Sequence, residues 1–280
     1  MIVIQNTKDM QEFALAQRAQ GKRLALVATM GNLHEGHRTL MRQARAQCEV
    51  LVVSIFVNPT QFGPNEDFEK YPRTPESDLQ ACEAEGVDVV FAPGVDQMYG
   101  DDRGVAVEVE GWGNVLCGAS RPGHFRGVAT VVLKLFNICQ PSAAFFGWKD
   151  AQQFLILRRM VRALNVPVEM IGVETVRESD GLAMSSRNGY LSAEERRQAP
   201  ELYKALTRGN EMVAAGTTDA AHIISAICSH IESNTQGKID YVEAVSMDQL
   251  QPLQRIQLGN TLIALAVRFP SARLIDNIRV

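Results

Sequence analysis

Residues 24–37 of the sequence read LALVATMGNLHEGH. The first five are apolar and predict a short buried strand, whereas the glycines and polar residues after them predict a loop. Leu40, Met41 and Ala44 then fall on one face of a helical pattern. A buried strand, a glycine-containing loop and an amphipathic helix, in this order, are typical of one unit of a parallel α/β sheet.

The alternation of strands and helices continues through most of the chain. Further strands are predicted at residues 50–57, 87–92, 143–148 and 166–173, and further helices at residues 76–85, 127–139 and 150–164. This pattern favours an α/β fold with a doubly wound parallel sheet, in which ligands bind beyond the carboxyl ends of the strands. Unusual residues cluster after three of the predicted strands, following Ala28, Val57 and Trp148.

A different pattern begins near Val176. Helices are predicted at residues 193–208 and 218–233, and strands at residues 239–245 and 261–268. We therefore predict two domains, a larger one over residues 1–175 and a smaller C-terminal α+β domain over residues 176–280.

Composition excludes several classes of protein. The 280 residues are 46% apolar and 21% charged, with a net charge of −4, which is typical of a globular protein and lacks the basic excess of nucleic-acid binders. The five cysteines include no Cys-x-x-Cys pair, which argues against disulfides or structural zinc and favours a reducing compartment. Neither a signal peptide nor a membrane-spanning run is recognisable, so a cytoplasmic location without membrane partners is expected.

The first candidate site is the loop that contains Met30, Gly31, His34 and His37. Glycine permits close approach of the backbone to a ligand, and two imidazoles beside the positive end of the next helix suit a triphosphate. The loop alone fits equally well a turn with two incidental histidines. A zinc site is disfavoured, because the spacing is His-Glu-x-His rather than His-Glu-x-x-His and no further ligand cluster is evident.

A second candidate is the segment Met184-Ser185-Ser186-Arg187. Two hydroxyls and a planar guanidinium suit phosphate oxygens. An ordinary approach to the next helix explains the segment as well, because Ser192 and Glu195 form a capping box nearby.

A third candidate follows the strand predicted to end near Gly147. Lys149 can reach a phosphate there, while Asp150 can cap the next helix or contact a ribose hydroxyl. Gln153 lies one helical turn further on and can face the same pocket.

The fourth candidate is the loop with Asn58 and Gln61, whose neutral amides suit a hydroxylated substrate, although a plain polar loop is the simpler interpretation. Three common motifs are absent from the sequence: the Gly-x-Gly-x-x-Gly of dinucleotide-binding proteins, the P-loop, and the Gly-x-Ser-x-Gly of serine hydrolases.

Taken together and in this order, the motifs resemble the nucleotidyltransferase superfamily that includes class I aminoacyl-tRNA synthetases. The fuller set is similar to the pantoate–β-alanine ligase (pantothenate synthetase) family. The segments that carry this resemblance are residues 29–37, 53–62, 71–74, 121–127, 145–153, 180–191 and 273–277. Trp148 and Cys117 stand where the family usually has glutamate.

The resemblance implies an ATP-dependent condensation of (R)-pantoate with β-alanine that gives pantothenate, AMP and pyrophosphate through a pantoyl-adenylate. It also implies a Rossmann-like first domain that binds ATP and pantoate, a C-terminal lid domain and a homodimer. Mg²⁺ is expected to accompany ATP, with Asp78 as a candidate support.

The resemblance also implies residue roles. Gln61 and Gln153 bind pantoate, Gln61 contacts β-alanine as well, and Asn58 is added to the pantoate site for its amide. Charge on the departing pyrophosphate is stabilised by His34, His37, Lys149, Ser185, Ser186 and Arg187. The expected ATP contacts are Met30, Gly31, His34, His37, Gly147, Lys149, Asp150, Val176, Met184, Ser185, Ser186 and Arg187.

The motifs also leave two alternatives to a ligase, an adenylyltransferase and a nucleotide-binding regulator. An adenylyltransferase acting on a phosphorylated substrate would keep AMP in its product, but Asn58, Gln61 and Gln153 favour a neutral hydroxy acid. A nucleotide-binding regulator would bind ATP without turnover, which the full set of polar motif residues disfavours. The acidic balance and the lack of an anticodon-binding extension disfavour tRNA charging.

Overall fold

The computed structural model describes residues 1–64, 66, 68–100 and 104–280. It divides into two compact units. The first unit comprises Met1–Gly113, Arg121–Trp148 and Gln153–Glu174, and the second comprises Asn114–Ser120, Lys149–Gln152 and Thr175–Val280. The second unit therefore includes two short segments from the region before residue 175. The division of roles between residues 1–175 and a lid at residues 176–280 stays a prediction.

The first unit is built on a six-stranded sheet in which every pair of neighbouring strands is parallel. The strand order is β1-β4-β3-β2-β5-β6. The strands are β1 (Ile2–Ile4), β2 (Leu24–Thr29), β3 (Val50–Ile55), β4 (Val89–Phe91), β5 (Ala143–Gly147) and β6 (Glu169–Val173). The predicted doubly wound parallel sheet is confirmed.

Helices connect the strands of this sheet. Those up to β6 are α1 (Thr7–Ala19), α2 (Glu35–Arg45), α3 (Pro75–Ala84), α4 (Val95–Tyr99), α5 (Cys117–Ser120), α6 (His124–Cys139) and α7 (Ala151–Ala163), of which α5 and the start of α7 belong to the second unit. Strand β2 is central because it pairs with both β3 and β5. The strand order reverses at β2 and β5, and such a reversal is where α/β sheets bind ligands.

The core of the first unit explains its sequence pattern. Leu24, Leu26 and Val27 have no exposed surface, as expected for a parallel strand covered on both faces. From α2, Met41 and Ala44 pack into the same buried cluster as Val27, which confirms the predicted amphipathic helix.

The second unit contains an antiparallel sheet of order β7-β8-β9. Its elements are α8 (Ala193–Gln198), α9 (Glu201–Ala214), α10 (Ala220–Asn234), β7 (Lys238–Ser246), β8 (Thr261–Arg268) and β9 (Arg273–Arg279). The single helix predicted over residues 193–208 is interrupted at Pro200, because proline lacks the N–H that a continuous helix requires. Leu206, Ile223, Ile227 and Leu265 lie in the core of this unit.

Within the described residues, no helix combines the length and the hydropathy needed to cross a membrane.

Candidate active site

The two histidines of the first candidate site begin helix α2. His34 is the N-cap residue, and its Nδ1 accepts a hydrogen bond from the backbone N–H of Gly36 at 3.1 Å. Nδ1 of His37 accepts from the backbone N–H of His34 at 3.3 Å, and the ring centroids lie 4.1 Å apart. A neutral imidazole that accepts at Nδ1 carries its proton on Nε2. Each ring thus presents an Nε2–H donor beside the positive end of a helix, which suits an anionic ligand.

Asp78 holds the loop that precedes these histidines. Its carboxylate accepts the backbone N–H groups of Asn32 at 2.9 Å and Leu33 at 2.8 Å, and the residue is only 2% exposed. Gly31 has φ +83°, and a Cβ there would lie 2.9 Å from Asp78 Oδ2, so the loop requires glycine at this position. Asp78, predicted as a support for Mg²⁺, thus uses both carboxylate oxygens to hold the backbone of this loop.

Asn58 is buried in the first unit and has several hydrogen-bond partners there. It is 1% exposed, and its Oδ1 accepts from Thr60 N at 3.3 Å, Thr60 Oγ1 at 2.9 Å and the Tyr99 hydroxyl at 2.6 Å. Its Nδ2 donates to Gly127 O at 3.3 Å and to Gln61 Oε1 at 3.1 Å. Asn58 was predicted to contact pantoate, and these hydrogen bonds fix the position of its amide beside Gln61.

These contacts determine how the Gln61 amide is oriented. The backbone N–H of Thr60 can only donate and the carbonyl of Gly127 can only accept, so the Asn58 amide has one orientation. Its Nδ2 therefore faces Gln61 Oε1, which turns Gln61 Nε2 toward Met30 Sδ at 3.0 Å. Gln61 thus presents a hydrogen-bond donor, and its side chain connects the turn after β3 with the loop after β2.

Burial raises the pKa of the Tyr99 hydroxyl above its usual value. The hydroxyl therefore stays protonated at neutral pH and donates to Asn58. Neither the contact from Tyr99 nor the contacts of Asp78 had a signal in the sequence, because both join segments far apart in the chain.

Replacement of Asn58 by aspartate tests this arrangement. A carboxylate oxygen in place of Nδ2 would face two acceptors, Gly127 O and Gln61 Oε1, and would displace the Gln61 amide. We expect the KM for pantoate, the substrate predicted for Gln61, to rise at least about tenfold, the equivalent of one lost buried hydrogen bond. Steady-state kinetics check this, with Asn6→Asp as the control because Asn6 uses its Oδ1 to cap α1 at an exposed position. An unchanged KM for pantoate would contradict it.

The backbone of the same turn, Pro59–Gln61, is held by a charged cluster. His124 Nδ1 lies 2.8 Å from Gln61 O, and His124 Nε2 lies 3.0 Å from Arg121 Nη1. Arg121 also forms an ion pair with Glu66 at 2.6 Å. Burial raises the pKa of Glu66, but the hydrogen bond and charge of Arg121 outweigh it and bring the pKa below its usual value. The carboxylate stays ionised, so the cluster persists at neutral pH.

The remaining predicted residues of the first unit lie at the end of β5 and in α7. Gly147 is the last residue of β5, and Gln153 is half-buried near the start of α7. Trp148 is buried against Phe154, with ring centroids 4.6 Å apart, and a Cβ on Gly172 would lie 2.4 Å from Trp148 Nε1. Gly172 thus makes room for the buried indole of Trp148.

The second unit contains the other predicted phosphate-binding residues. Lys149 Nζ lies 3.7 Å from Asp150 Oδ1, and the carbonyl of Lys149 accepts from Asn277 Nδ2 at 3.0 Å. The carbonyl of Val176 accepts from the backbone N–H of Met184 at 2.9 Å.

Ser185 begins the turn that carries the last two predicted residues, Ser186 and Arg187. Its Oγ accepts from the backbone N–H of Arg187 at 3.3 Å, which caps the 3-10 turn Ser186–Tyr190. The capping box of Ser192 and Glu195 is present as well, at the start of α8. The capping interpretation of this region therefore holds, and it leaves the hydroxyl hydrogen of Ser185 available as a donor.

A family model described as pantoate–β-alanine ligase matches residues 2–279. The chain belongs to this family. The pantothenate synthetases of Acetivibrio thermocellus and Moorella thermoacetica are each 52% identical to it, over 280 and 278 residues. These matches cover 100% and 99% of this chain, and 99% and 98% of the two relatives.

Solved structures of the family have the same fold. Pantothenate synthetase from Thermus thermophilus is 44% identical, with a TM-score of 0.94 and coverage of 100% of this chain and 99% of that one. Pantoate–β-alanine ligase from Francisella tularensis, in complex with β,γ-ATP and β-alanine, is 33% identical, with a TM-score of 0.82 and coverage of 100% and 97%. The present chain is thus a ligase that uses ATP to join pantoate to β-alanine and form pantothenate.

Proposed function

We propose that this ligase first makes a pantoyl-adenylate and that the histidine pair at the start of α2 stabilises the charge that develops in this step. A free carboxylate is a poor acylating agent, because oxide would have to leave. Attack of a pantoate carboxylate oxygen on the α-phosphorus of ATP expels pyrophosphate and makes AMP the later leaving group. The neutral amine of β-alanine then attacks the acyl carbon, which forms the amide and releases AMP.

The arrangement of His34 and His37 carries this proposal. Both rings accept backbone N–H groups at Nδ1, so both carry an Nε2–H donor without needing a positive charge. Fixed donors directed at developing charge lower the barrier without reorganisation during the reaction. We assign His37 as the principal donor to the phosphate oxygens and His34 as its neighbour in ATP binding.

Residues of the second unit complete the proposed set of ATP ligands. Lys149 and Arg187 supply positive charge, and the hydroxyls of Ser185 and Ser186 supply neutral donors to the leaving pyrophosphate. The proposed nucleotide contacts further include Met30, Gly31, Gly147, Asp150, Val176 and Met184.

Gln61 and Gln153 are proposed to bind pantoate. The orientation of the Gln61 amide makes its Nε2 the donor, which fits a carboxylate or hydroxyl oxygen of the substrate. Gln61 is also the proposed contact for β-alanine. Asn58 is proposed for the pantoate site as well, where it also orients the Gln61 amide.

We propose that Mg²⁺ arrives with ATP as part of the substrate. Among the residues that the structure describes, no three His, Cys, Asp or Glu side chains are grouped to hold a metal. This fits magnesium, which keeps several waters and binds phosphate oxygens with little help from protein carboxylates. We further propose a cytoplasmic homodimer whose partners are ATP, pantoate and β-alanine, with neither a nucleic-acid nor a membrane partner.

The proposal is tested by following AMP and pyrophosphate release from ATP, with pantoate and β-alanine added separately and together. Sustained AMP release should require both substrates, because the amine is needed to discharge the adenylate. With pantoate alone, labelled pyrophosphate should exchange into ATP. Pyrophosphate release without free AMP would indicate an adenylyltransferase and would contradict the proposal.

A further inference from the structure

Strand β9 carries two buried polar residues that the proposed mechanism does not use, Asp276 and Asn277. Successive side chains of a strand point to opposite faces of its sheet. These two neighbours therefore reach different surroundings. Asn277 contacts Lys149, which we assign to ATP, and Asp276 contacts Arg177, the residue after the assigned Val176.

Asp276 forms a bidentate ion pair with Arg177. The distances are 2.6 Å from Nη1 to Oδ2 and 2.9 Å from Nη2 to Oδ1, and Asp276 is 4% exposed. The Arg177 guanidinium also lies 3.5 Å from the ring centroid of Tyr203 and donates to Gly181 O at 3.1 Å. Because its guanidinium has partners in Asp276, Tyr203 and Gly181, the side chain of Arg177 restrains the backbone at residue 177.

That backbone leads directly into the proposed phosphate loop. Arg177 pairs antiparallel with Ala183, and the carbonyl of Val176 accepts from Met184 N at 2.9 Å. Residues 176–184 therefore form a short hairpin that ends at Met184. Its first strand is bound to β9 through the ion pair of Arg177 with Asp276. The position of Ser185, Ser186 and Arg187 follows from where this hairpin ends.

Asn277 holds the second proposed ATP segment. Its Nδ2 donates to the carbonyl of Lys149 at 3.0 Å. Its own backbone N–H donates to Asp276 Oδ1 at 2.8 Å, which connects the two residues. The backbone of Lys149 is thus bound to the same strand as Arg177.

We infer that Asp276 and Asn277 are positioning residues for ATP, through which β9 sets the places of the Met184–Arg187 loop and of Lys149. The inference rests on the proposed assignment of these segments to ATP. The residues proposed for pantoate, Gln61 and Gln153, belong to the first unit. Loss of the Asp276 or the Asn277 side chain should therefore weaken ATP binding and leave pantoate binding unchanged.

The test measures KM for ATP and for pantoate in the full-length variants Asp276→Asn and Asn277→Ala. Asp276→Asn should raise the KM for ATP at least about tenfold, because the amide turns an N–H group toward Arg177. Asn277→Ala removes the amide that donates to the carbonyl of Lys149 and should raise the KM for ATP about threefold to tenfold. The KM for pantoate should stay within about twofold in both variants. Asn277→Ala also covers the case in which Asp276→Asn does not fold.

Asp240→Asn is the matched control. Asp240 forms an ion pair with Arg273 at 2.8 Å in the same unit, but Arg273 contacts α5 through Ser120 rather than either ATP segment. This variant should lose stability without a change in the KM for ATP. A KM for ATP within twofold of the unmodified enzyme in both β9 variants would overturn the inference. An equal rise in the KM for ATP and for pantoate would overturn it too, as a general structural effect.

Lys149→Ala and Arg187→Ala separate this inference from the proposed function. If both raise the KM for ATP while the β9 variants do not, the anchoring role alone is refuted. If neither changes it, the assignment of these segments to ATP is refuted, and the anchoring role with it.

Discussion

Replacement of His37 by alanine is expected to slow adenylate formation about 10²–10³-fold, the cost of removing one fixed donor from developing charge. The structure adds a second effect, because Nδ1 of His37 also accepts the backbone N–H of His34 at the start of α2. Loss of that capping bond should destabilise the protein by about 1 kcal/mol. Single-turnover measurement of pyrophosphate release gives the rate, and thermal unfolding gives the stability.

His37→Gln separates the two effects. Glutamine at this position of a helix can still accept the N-cap N–H, so the cap survives while the imidazole donor is lost. We expect the stability to recover and the slow rate to remain. His222→Ala, which alters a histidine of α10 in the second unit, serves as the control for histidine loss. Adenylate formation within a few-fold of the unmodified enzyme in a folded His37→Ala protein would remove His37 from its assigned role.

Gly127→Ala is expected to disrupt the pantoate site from within helix α6. Alanine usually stabilises a helix relative to glycine. Here its Cβ would lie 2.3 Å from Thr60 O and 2.7 Å from Gln61 N, and both are backbone atoms that cannot rotate away. Overpacking of this kind costs about 1–3 kcal/mol of stability. The shift of the turn should also raise the KM for pantoate at least about tenfold, because Gln61 moves with it.

The comparison for this variant is Gly94→Ala in the same unit, where a new Cβ would meet nothing within 4 Å. Because Gly94 is the N-cap of α4, where alanine is less favourable than glycine, the stability of this variant should fall by up to about 1 kcal/mol, with both KM values unchanged. Thermal unfolding and pantoate kinetics on the two variants decide the matter. If Gly127→Ala is as stable as the unmodified enzyme, α6 does not pack closely against the turn Pro59–Gln61.

The sequence was sufficient to predict the features that depend on local pattern. The buried run of β2 and the apolar face of α2 follow from periodicity, and the histidine loop between them was predicted at the carboxyl end of a parallel strand. The α+β character of the C-terminal part and its strands β7 and β8 were predicted as well.

Other features could not be predicted because they depend on contacts between distant segments. The partners of Asn58 include Tyr99 and the carbonyl of Gly127, which no local pattern connects to it. Strand β9 was missed because Asp276 and Asn277 interrupt its apolar alternation. Strand β1, with three residues, is too short for its periodicity to be recognised.

In the proposed first step, a pantoate carboxylate oxygen attacks the α-phosphorus of ATP. Pantoate labelled with ¹⁸O in its carboxylate, followed by mass analysis of the products, tests this step. If the pantoyl-adenylate forms, one ¹⁸O atom should appear in AMP, because the oxygen bonded to the α-phosphorus leaves with AMP when the amine attacks. Unlabelled AMP, or label in pyrophosphate or inorganic phosphate, would contradict the account.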